Sequence, residues 1–123
     1  MKSLRRAFTL VEIMIVVLII GILVAIAVPN FIRARESARA RACVGNLRQI
    51  DSAKEQYAMD NRLSQGSAVA GGTLASLCGT GTTTYIKGGA PNCPSSGTYT
   101  VNVLGTDPTC SIGTGAAVAH VLP

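Results

Sequence analysis

The chain has 123 residues, a hydrophobic fraction of 48%, and a formal charge of +5 from 11 Lys and Arg against 6 Asp and Glu. That length allows one small domain beside an apolar segment and leaves no room for a second domain. Without Lys2, Arg5 and Arg6, eight Lys and Arg face six Asp and Glu, so the basic character belongs largely to the first residues and argues for no nucleic-acid partner.

A short basic leader is followed by a long apolar run, Ala7 to Asn30, with no charged or strongly polar side chain from Ile13 to Val28. One carboxylate, Glu12, stands near its start. A carboxylate inside a membrane segment costs about 2.5–3.5 kcal/mol on insertion scales, so its presence points to a function. Three plainer readings compete. A secretory signal peptide would use Ala25-Ile-Ala27 as its cleavage site, but the run exceeds the usual apolar length of about 7–15 residues and Glu12 stays unexplained. A simple anchor from Phe8 to Val28 meets the requirement of about 20 residues, again with no use for Glu12. A buried core helix would need cover on every side, which so small a domain cannot supply. Lys2, Arg5 and Arg6 predict a cytoplasmic N-terminus with everything after Asn30 on the far side of the membrane.

The stretch Phe8-Thr-Leu-Val-Glu12 behind a Lys/Arg-containing leader resembles the processing and assembly signal of type IV pilins and type II secretion pseudopilins. The resemblance implies a leader of residues 1–7, cleavage by a prepilin peptidase between Ala7 and Phe8, and methylation of the new Phe8 amine. It also implies that Glu12 neutralises the N-terminus of a neighbouring subunit as helices pack into a filament. Gly21 and Pro29 fall where the family has a glycine and a helix-bending proline. The family usually has Gly immediately before the cut; this chain has Ala7, the next smallest residue, and cleavage is still expected. The match is strong from Lys2 to about Asn30 and fades to a general helical likeness by about Asn61.

Pro29 lacks an N–H and should bend the helix without ending it, because helix formers resume at once. Residues 31–62 form the amphipathic half of one long helix, with Gly45 as the strong breaker. Cys43, Leu47, Ile50 and Tyr57 draw one apolar stripe that Ala53 widens. Arg33, Arg35, Arg39, Arg41, Arg48, Lys54 and Glu55 are assigned to the other faces. The basic run Arg33 to Arg41 reads as a solvated face. Glu36 stands three residues before Arg39, and no aromatics interleave to stack on bases.

Residues 63–123 form a small α+β head. Gln65 to Gly72 reads as a loop, and Thr73 to Leu77 as a short helix capped by Thr73. Tyr85-Ile86 reads as a brief extended piece. Thr98 to Val103 is the clearest strand, and Ala117 to Val121 a second one after a turn at Gly113-Thr-Gly115. The fold class is pilin-like α+β, one long N-terminal helix packed on a small antiparallel sheet.

Four cysteines in an oxidising compartment allow three pairings. Cys93 and Cys110 enclose a Gly- and Thr-rich stretch with little apolar surface, and ordering it costs about 1–2 kcal/mol per residue, so a bridge between them is favoured. Cys43 and Cys78 are then the remaining pair, unless Cys43 simply packs in the helix stripe. No metal site is expected: there is no Cys-x-x-Cys spacing, and His120 stands alone in sequence as a surface or packing residue. Asp107 is the only acidic residue after Asp60, too few carboxylates for calcium. No cofactor and no enzymatic activity are expected. The five aromatics, Phe8, Phe31, Tyr57, Tyr85 and Tyr99, are too sparse for an electron-conducting stack.

The function expected is that of a structural subunit of a pilus-like filament. Its expected partners are identical and related subunits, the prepilin peptidase, the inner-membrane assembly platform and the membrane itself, with no specific nucleic acid. It would enter the bacterial inner membrane as a precursor and leave it for a periplasmic or surface filament. The alternatives are a type II secretion pseudopilin and a monomeric membrane-anchored binding protein. The absence of a carboxylate cluster favours the pilus.

Overall fold

The computed structural model describes residues 7–79, 84–116 and 118–123. Lys2, Arg5 and Arg6 of the leader, and Ala117 of the expected second strand, lie outside the described residues. The chain forms helix α1 (Leu10–Asn61), a 3-10 turn (Ala70–Gly72), helix α2 (Leu74–Leu77) and two short strands, β1 (Tyr99–Thr100) and β2 (Thr109–Cys110). This is the expected α+β class: one long N-terminal helix and a small antiparallel sheet.

Both ends of α1 are written in local chemistry. Thr9 precedes the helix, and its hydroxyl accepts a hydrogen bond from the Glu12 N–H at 3.3 Å, satisfying one of the unpaired donors of the first turn. Pro29 sits inside the helix, which continues through it. It deprives the Ala25 carbonyl of its usual donor, and one residue on the Asn30 side-chain amide donates to the Ile26 carbonyl at 3.3 Å. The helix stops where Arg62 turns left-handed at φ 53°. The Leu63 N–H then reaches back to the Ala58 carbonyl at 2.9 Å and the Arg62 N–H to Met59, the paired bonds of a Schellman end.

The chain divides into two compact units, the first ending at Arg35 and the second running from Glu36 to Pro123. In the first, every large apolar side chain from Phe8 to Ile32 is exposed, including Leu10, Ile13, Leu18, Ile22 and Phe31. The apolar stretch of α1 is long enough to cross a membrane.

In the second unit, α1 buries Ala40, Cys43, Leu47, Ile50, Ala53, Lys54 and Ala58, one stripe built on steps of three and four residues in which Ala53 and Lys54 stand three and four past Ile50. Ile50, Ala53 and Ala58 pack with Val69, Leu77, Ile86, Val101 and Leu104 in one cluster; Cys43 and Leu47 pack with Cys93 and Cys110 in another. Each fully buried Leu, Ile or Val stabilises the head by about 1.5–3 kcal/mol relative to exposure. The strands pair antiparallel, Tyr99 opposite Cys110 and Thr100 opposite Thr109. Tyr57 and Tyr85 meet edge-on, ring centres 5.6 Å apart.

Several local expectations are corrected. The strand read over Thr98 to Val103 is only Tyr99–Thr100, because Asn102 turns left-handed at φ 56° and its amide donates to the Asp107 carbonyl at 2.8 Å. Its partner strand is Thr109–Cys110; residues 118–121 form no strand, and the His120 N–H is used on the Gly113 carbonyl at 2.9 Å. Tyr85-Ile86 is a bend whose two N–H groups converge on the Leu77 carbonyl, each at 3.1 Å. Helix α2 forms over Leu74–Leu77, but the Thr73 side chain makes no cap; instead the Ser76 hydroxyl donates to the Thr73 carbonyl at 2.6 Å.

Two glycines separate packing from propensity. A Cβ on Gly97 would lie 2.7 Å from the Cys110 sulfur and 3.0 Å from Ile112, so Gly97→Ala should destabilise the head by about 1–3 kcal/mol. A Cβ on Gly45 meets nothing within 4 Å on an exposed helical face, so Gly45→Ala should stabilise by about 0.5–1 kcal/mol. Denaturant unfolding of the dispersed mature subunit, followed by circular dichroism, measures both signs.

Candidate functional site

In the N-terminal unit the structure places Ala7 and Phe8 as exposed residues immediately before α1, and Glu12 in its first turn. The carboxylate is exposed at the positive end of the helix dipole, a position that favours negative charge. Among the described residues no cation lies against it. Gly21 and Pro29 lie further along the same helix, and a Cβ on Gly21 would meet nothing within 4 Å. What the unit offers is an apolar rod with one carboxylate and a threonine cap at its entry.

The second unit gathers a cluster that its sequence spacing hides. Cys43 comes from the buried stripe of α1, Cys93 from the loop before β1, Cys110 from the end of β2, and His120 from the C-terminal segment. All four are buried, and their Sγ and ring nitrogen atoms lie within 4.8 Å of one another. The Cys93 and Cys110 sulfurs are 3.8 Å apart, and the Cys93 sulfur is 3.9 Å from His120 Nδ1. The favoured Cys93–Cys110 pair is thus adjacent, yet all four cysteines of the chain are free thiols here. Cys43 is placed with Cys93 and Cys110 and not with Cys78, which packs against the Ile50–Leu77 cluster. His120, read from sequence as a surface or packing residue, is only 3% exposed.

The surroundings of the thiols are polar in a selective way. Burial pushes the Cys43 thiol up to about 12; a hydrogen bond with the Tyr99 hydroxyl opposes this, and the Cys110 and Cys93 thiols add to it. Burial raises the Cys93 thiol too, but the N–H groups of Ser95 and Gly97 and the neighbouring thiols outweigh it and leave Cys93 below its ordinary value. Tyr99 is raised, first by burial and then by its bond to Cys43, and its hydroxyl accepts from the Asn46 amide at 3.0 Å. Gly97 is bare because the Cys110 sulfur occupies the place of its Cβ. The sequence signal for this arrangement was Cys93-Pro-Ser-Ser-Gly97, a tight turn that presents backbone N–H groups to a sulfur, with a second Cys and a His downstream.

Lys54 corrects another expectation. Assigned to a solvated face, it is fully buried, its ammonium donating to the Thr106 carbonyl at 2.5 Å with Asp51 4.0 Å away. Its position one residue past Ala53 lies on the shoulder of the stripe, and the long stem reaches the 102–107 loop. Burial lowers its pKa below 10.5, against the opposing charges of Asp51, Glu55 and Asp107.

Residues 2–28 match the family model for the prokaryotic N-terminal methylation motif. The chain carries a prokaryotic N-terminal methylation motif over those residues. Type II secretion system core protein G of Pectobacterium carotovorum subsp. carotovorum is 39% identical over 57 residues, 46% of this chain and 36% of that protein. The protein of the same name from Pseudomonas aeruginosa is 41% identical over 57 residues, 46% of this chain and 40% of its own length. Type IV major pilin protein PilA of Myxococcus xanthus (strain DK1622) is 46% identical over 53 residues, 43% of this chain and 24% of that pilin. The chain thus spans about two fifths or less of these curated relatives. No solved structure matches it. The resemblance to the pilin and pseudopilin family read from Phe8 to Glu12 is supported from both branches.

The buried ammonium of Lys54 sets a pH dependence. Its folded pKa lies below the unfolded 10.5, so between those two values the unfolded chain holds the proton that the folded chain has lost, and stability rises with pH. The cost of burying the charge is absent above 10.5 and grows as pH falls to the folded value. Lys54→Met removes this contribution. Thermal unfolding at a series of alkaline pH values should show wild type gaining on the variant as pH rises through that window. A difference that shrank with pH would contradict a charge-burial cost.

Proposed function

We propose that this chain is a structural subunit of a type IV pilus-like filament. It enters the inner membrane as a precursor with its N-terminus in the cytoplasm. A prepilin peptidase cuts between Ala7 and Phe8, the new amine is methylated, and the subunit polymerises through its N-terminal helix on an inner-membrane assembly platform. The observation that carries this reading is a stretch from Phe8 to Ile32, helical from Leu10 and apolar on every side but for Thr9, Glu12 and Asn30, none of whose large apolar side chains is covered by its own unit, and most of which lies within the match to the methylation motif. Such a surface is stable only in a bilayer or against other copies of itself.

Glu12 supplies register. Apolar packing between smooth helices is strong but tolerates sliding, whereas the pair formed by a Glu12 carboxylate and a neighbour's Phe8 amine exists at one axial offset only. Gly21 and Pro29 would let helices approach and bend within the bundle. The role is structural and not catalytic.

A type II secretion pseudopilin is the second reading, favoured by relatives named core protein G that match this chain over 46% of its length. Deleting the gene separates the two: loss of surface filaments with intact secretion marks a pilus subunit, and the converse marks a pseudopilin. A monomeric membrane-anchored binding protein would stay with the membrane when cells are sheared, while a filament subunit pellets as a high-mass polymer.

Intact mass of the sheared material should correspond to a chain beginning at methylated Phe8, and a chain beginning at Met1 would refute the processing step. Glu12→Ala should insert into the membrane normally but assemble poorly, with filament yield at least tenfold lower at a loss of about 1.4 kcal/mol or more per contact. Filaments of normal yield and order from that variant would remove the charge-register mechanism.

A further inference from the structure

We propose that Cys43, Cys93, Cys110 and His120 form a structural zinc site that ties the C-terminal segments of the head to α1. Three thiols and one imidazole converge from four separate segments, all buried, with ligand atoms within 4.8 Å of one another. Around a tetrahedral zinc ion with Zn–S of about 2.3 Å and Zn–N of about 2.0–2.1 Å, sulfurs stand about 3.8 Å apart, and a sulfur and a nitrogen about 3.6 Å apart. Here Cys93 and Cys110 are separated by 3.8 Å, and Cys93 and His120 by 3.9 Å. Those edges accept the ion with shifts of a few tenths of an ångström.

The composition of the cluster argues against a disulfide as its purpose. A Cys93–Cys110 bridge would use two of three thiols, leave Cys43 buried beneath it and give His120 no part. The remaining cysteine, Cys78, packs with a different cluster and cannot restore an even count. A tetrahedral ion uses all four groups. Thiolate with imidazole selects zinc over the oxygen-seeking calcium and magnesium, and no carboxylate belongs to the set.

The second layer has the form a thiolate centre needs. Tyr99 packs against the cluster with its hydroxyl held by the Asn46 amide at 3.0 Å, and the turn after Cys93 runs close enough that a Cβ on Gly97 would lie 2.7 Å from the Cys110 sulfur. Hydrogen bonds fix the loops that carry the ligands: Ser96 N–H to the Cys93 carbonyl at 3.0 Å, Gly113 N–H to Cys110 at 3.0 Å, and His120 N–H to Gly113 at 2.9 Å. An open cleft of about 320 Å³, lined by Glu36, Arg39, Ser95, Ala116, Val118 and His120, gives the ion a way in.

Zinc and the Cys93–Cys110 bridge exclude one another, which makes the test decisive. The mature full-length chain, carried on a tag without histidines and purified in detergent without chelator, should contain one zinc per chain by elemental analysis and native mass spectrometry. X-ray absorption at the zinc edge should fit three sulfurs and one nitrogen. Cys93→Ser and His120→Ala should each lose zinc at least tenfold, while Cys78→Ser keeps the full stoichiometry. If the cluster variants fail to fold, the wild-type metal content and absorption spectrum still decide. A wild-type protein free of zinc, with a Cys93–Cys110 peptide in a non-reducing map, would overturn the site. Zinc lost equally from Cys78→Ser would overturn the ligand assignment.

Discussion

The head depends on one seam, the buried stripe of α1 from Ala40 to Ala58. Its two strands contribute only four paired residues, far too short a ladder to order some sixty residues of loop-rich chain. What the loops share is a side chain on that stripe: Val69, Leu77, Ile86, Val101 and Leu104 pack with Ile50, Ala53 and Ala58, and Cys93 and Cys110 with Cys43 and Leu47. A domain of this size buries little surface, so losing one such contact removes a large share of its stability. Polar ties then fix which loop meets which turn of the helix. Asn46 reaches the Asn92 carbonyl and the Tyr99 hydroxyl, and Lys54 reaches the Thr106 carbonyl.

Polar groups placed in so small a core are expensive unless paired, and here each has a use. Among the described residues no buried side-chain nitrogen or oxygen lacks a partner. The Lys54 ammonium closes the loop that Asn102 and Gly105 turn, both with positive φ. Apolar residues at these positions would pack as well but would not specify a carbonyl, and loops rich in Gly and Thr have many near-equivalent ways to collapse. Directional bonds choose among them.

Legibility in the sequence followed the range of the interaction. The long helix and its passage through Pro29 depend on residues within one or two turns, and they can be read from the apolar run and the helix formers after Asn30. The stripe Cys43, Leu47, Ile50, Ala53 and Tyr57 follows from periodicity alone. Strand limits depend on long-range register and did not: Thr98 to Val103 alternates over six residues, but the turn at Asn102 ends the pairing after two. Lys54 is buried where its residue type points to solvent, because its position on the stripe decides. The convergence of Cys43, Cys93, Cys110 and His120 leaves one local trace, the Cys93-Pro-Ser-Ser-Gly97 turn; the four come from different segments, and only the fold closes the gaps between them. Single histidines and unpaired spacings look inert until the chain is folded.

The two units answer opposite demands with one helix. In the head, α1 hides its apolar residues along a narrow stripe and leaves its other faces to water, as a helix packed on a small domain must. From Leu10 to Ile32 the same helix hides nothing, and apart from Glu12 and Asn30 its side chains are apolar around the whole circumference. A surface of that kind has no stable monomeric state in water, so its choices are lipid or like helices. Lipid and like helices are nearly equal as apolar surroundings, which makes the exchange between them cheap and non-directional. Direction has to come from a polar group, and within Phe8 to Val28 the one charged side chain is Glu12. On the filament reading proposed above, a carboxylate that is costly in the bilayer and satisfied beside a positive charge would bias that exchange toward assembly, and its place in the first turn of the helix would fix where along the neighbour it can be satisfied.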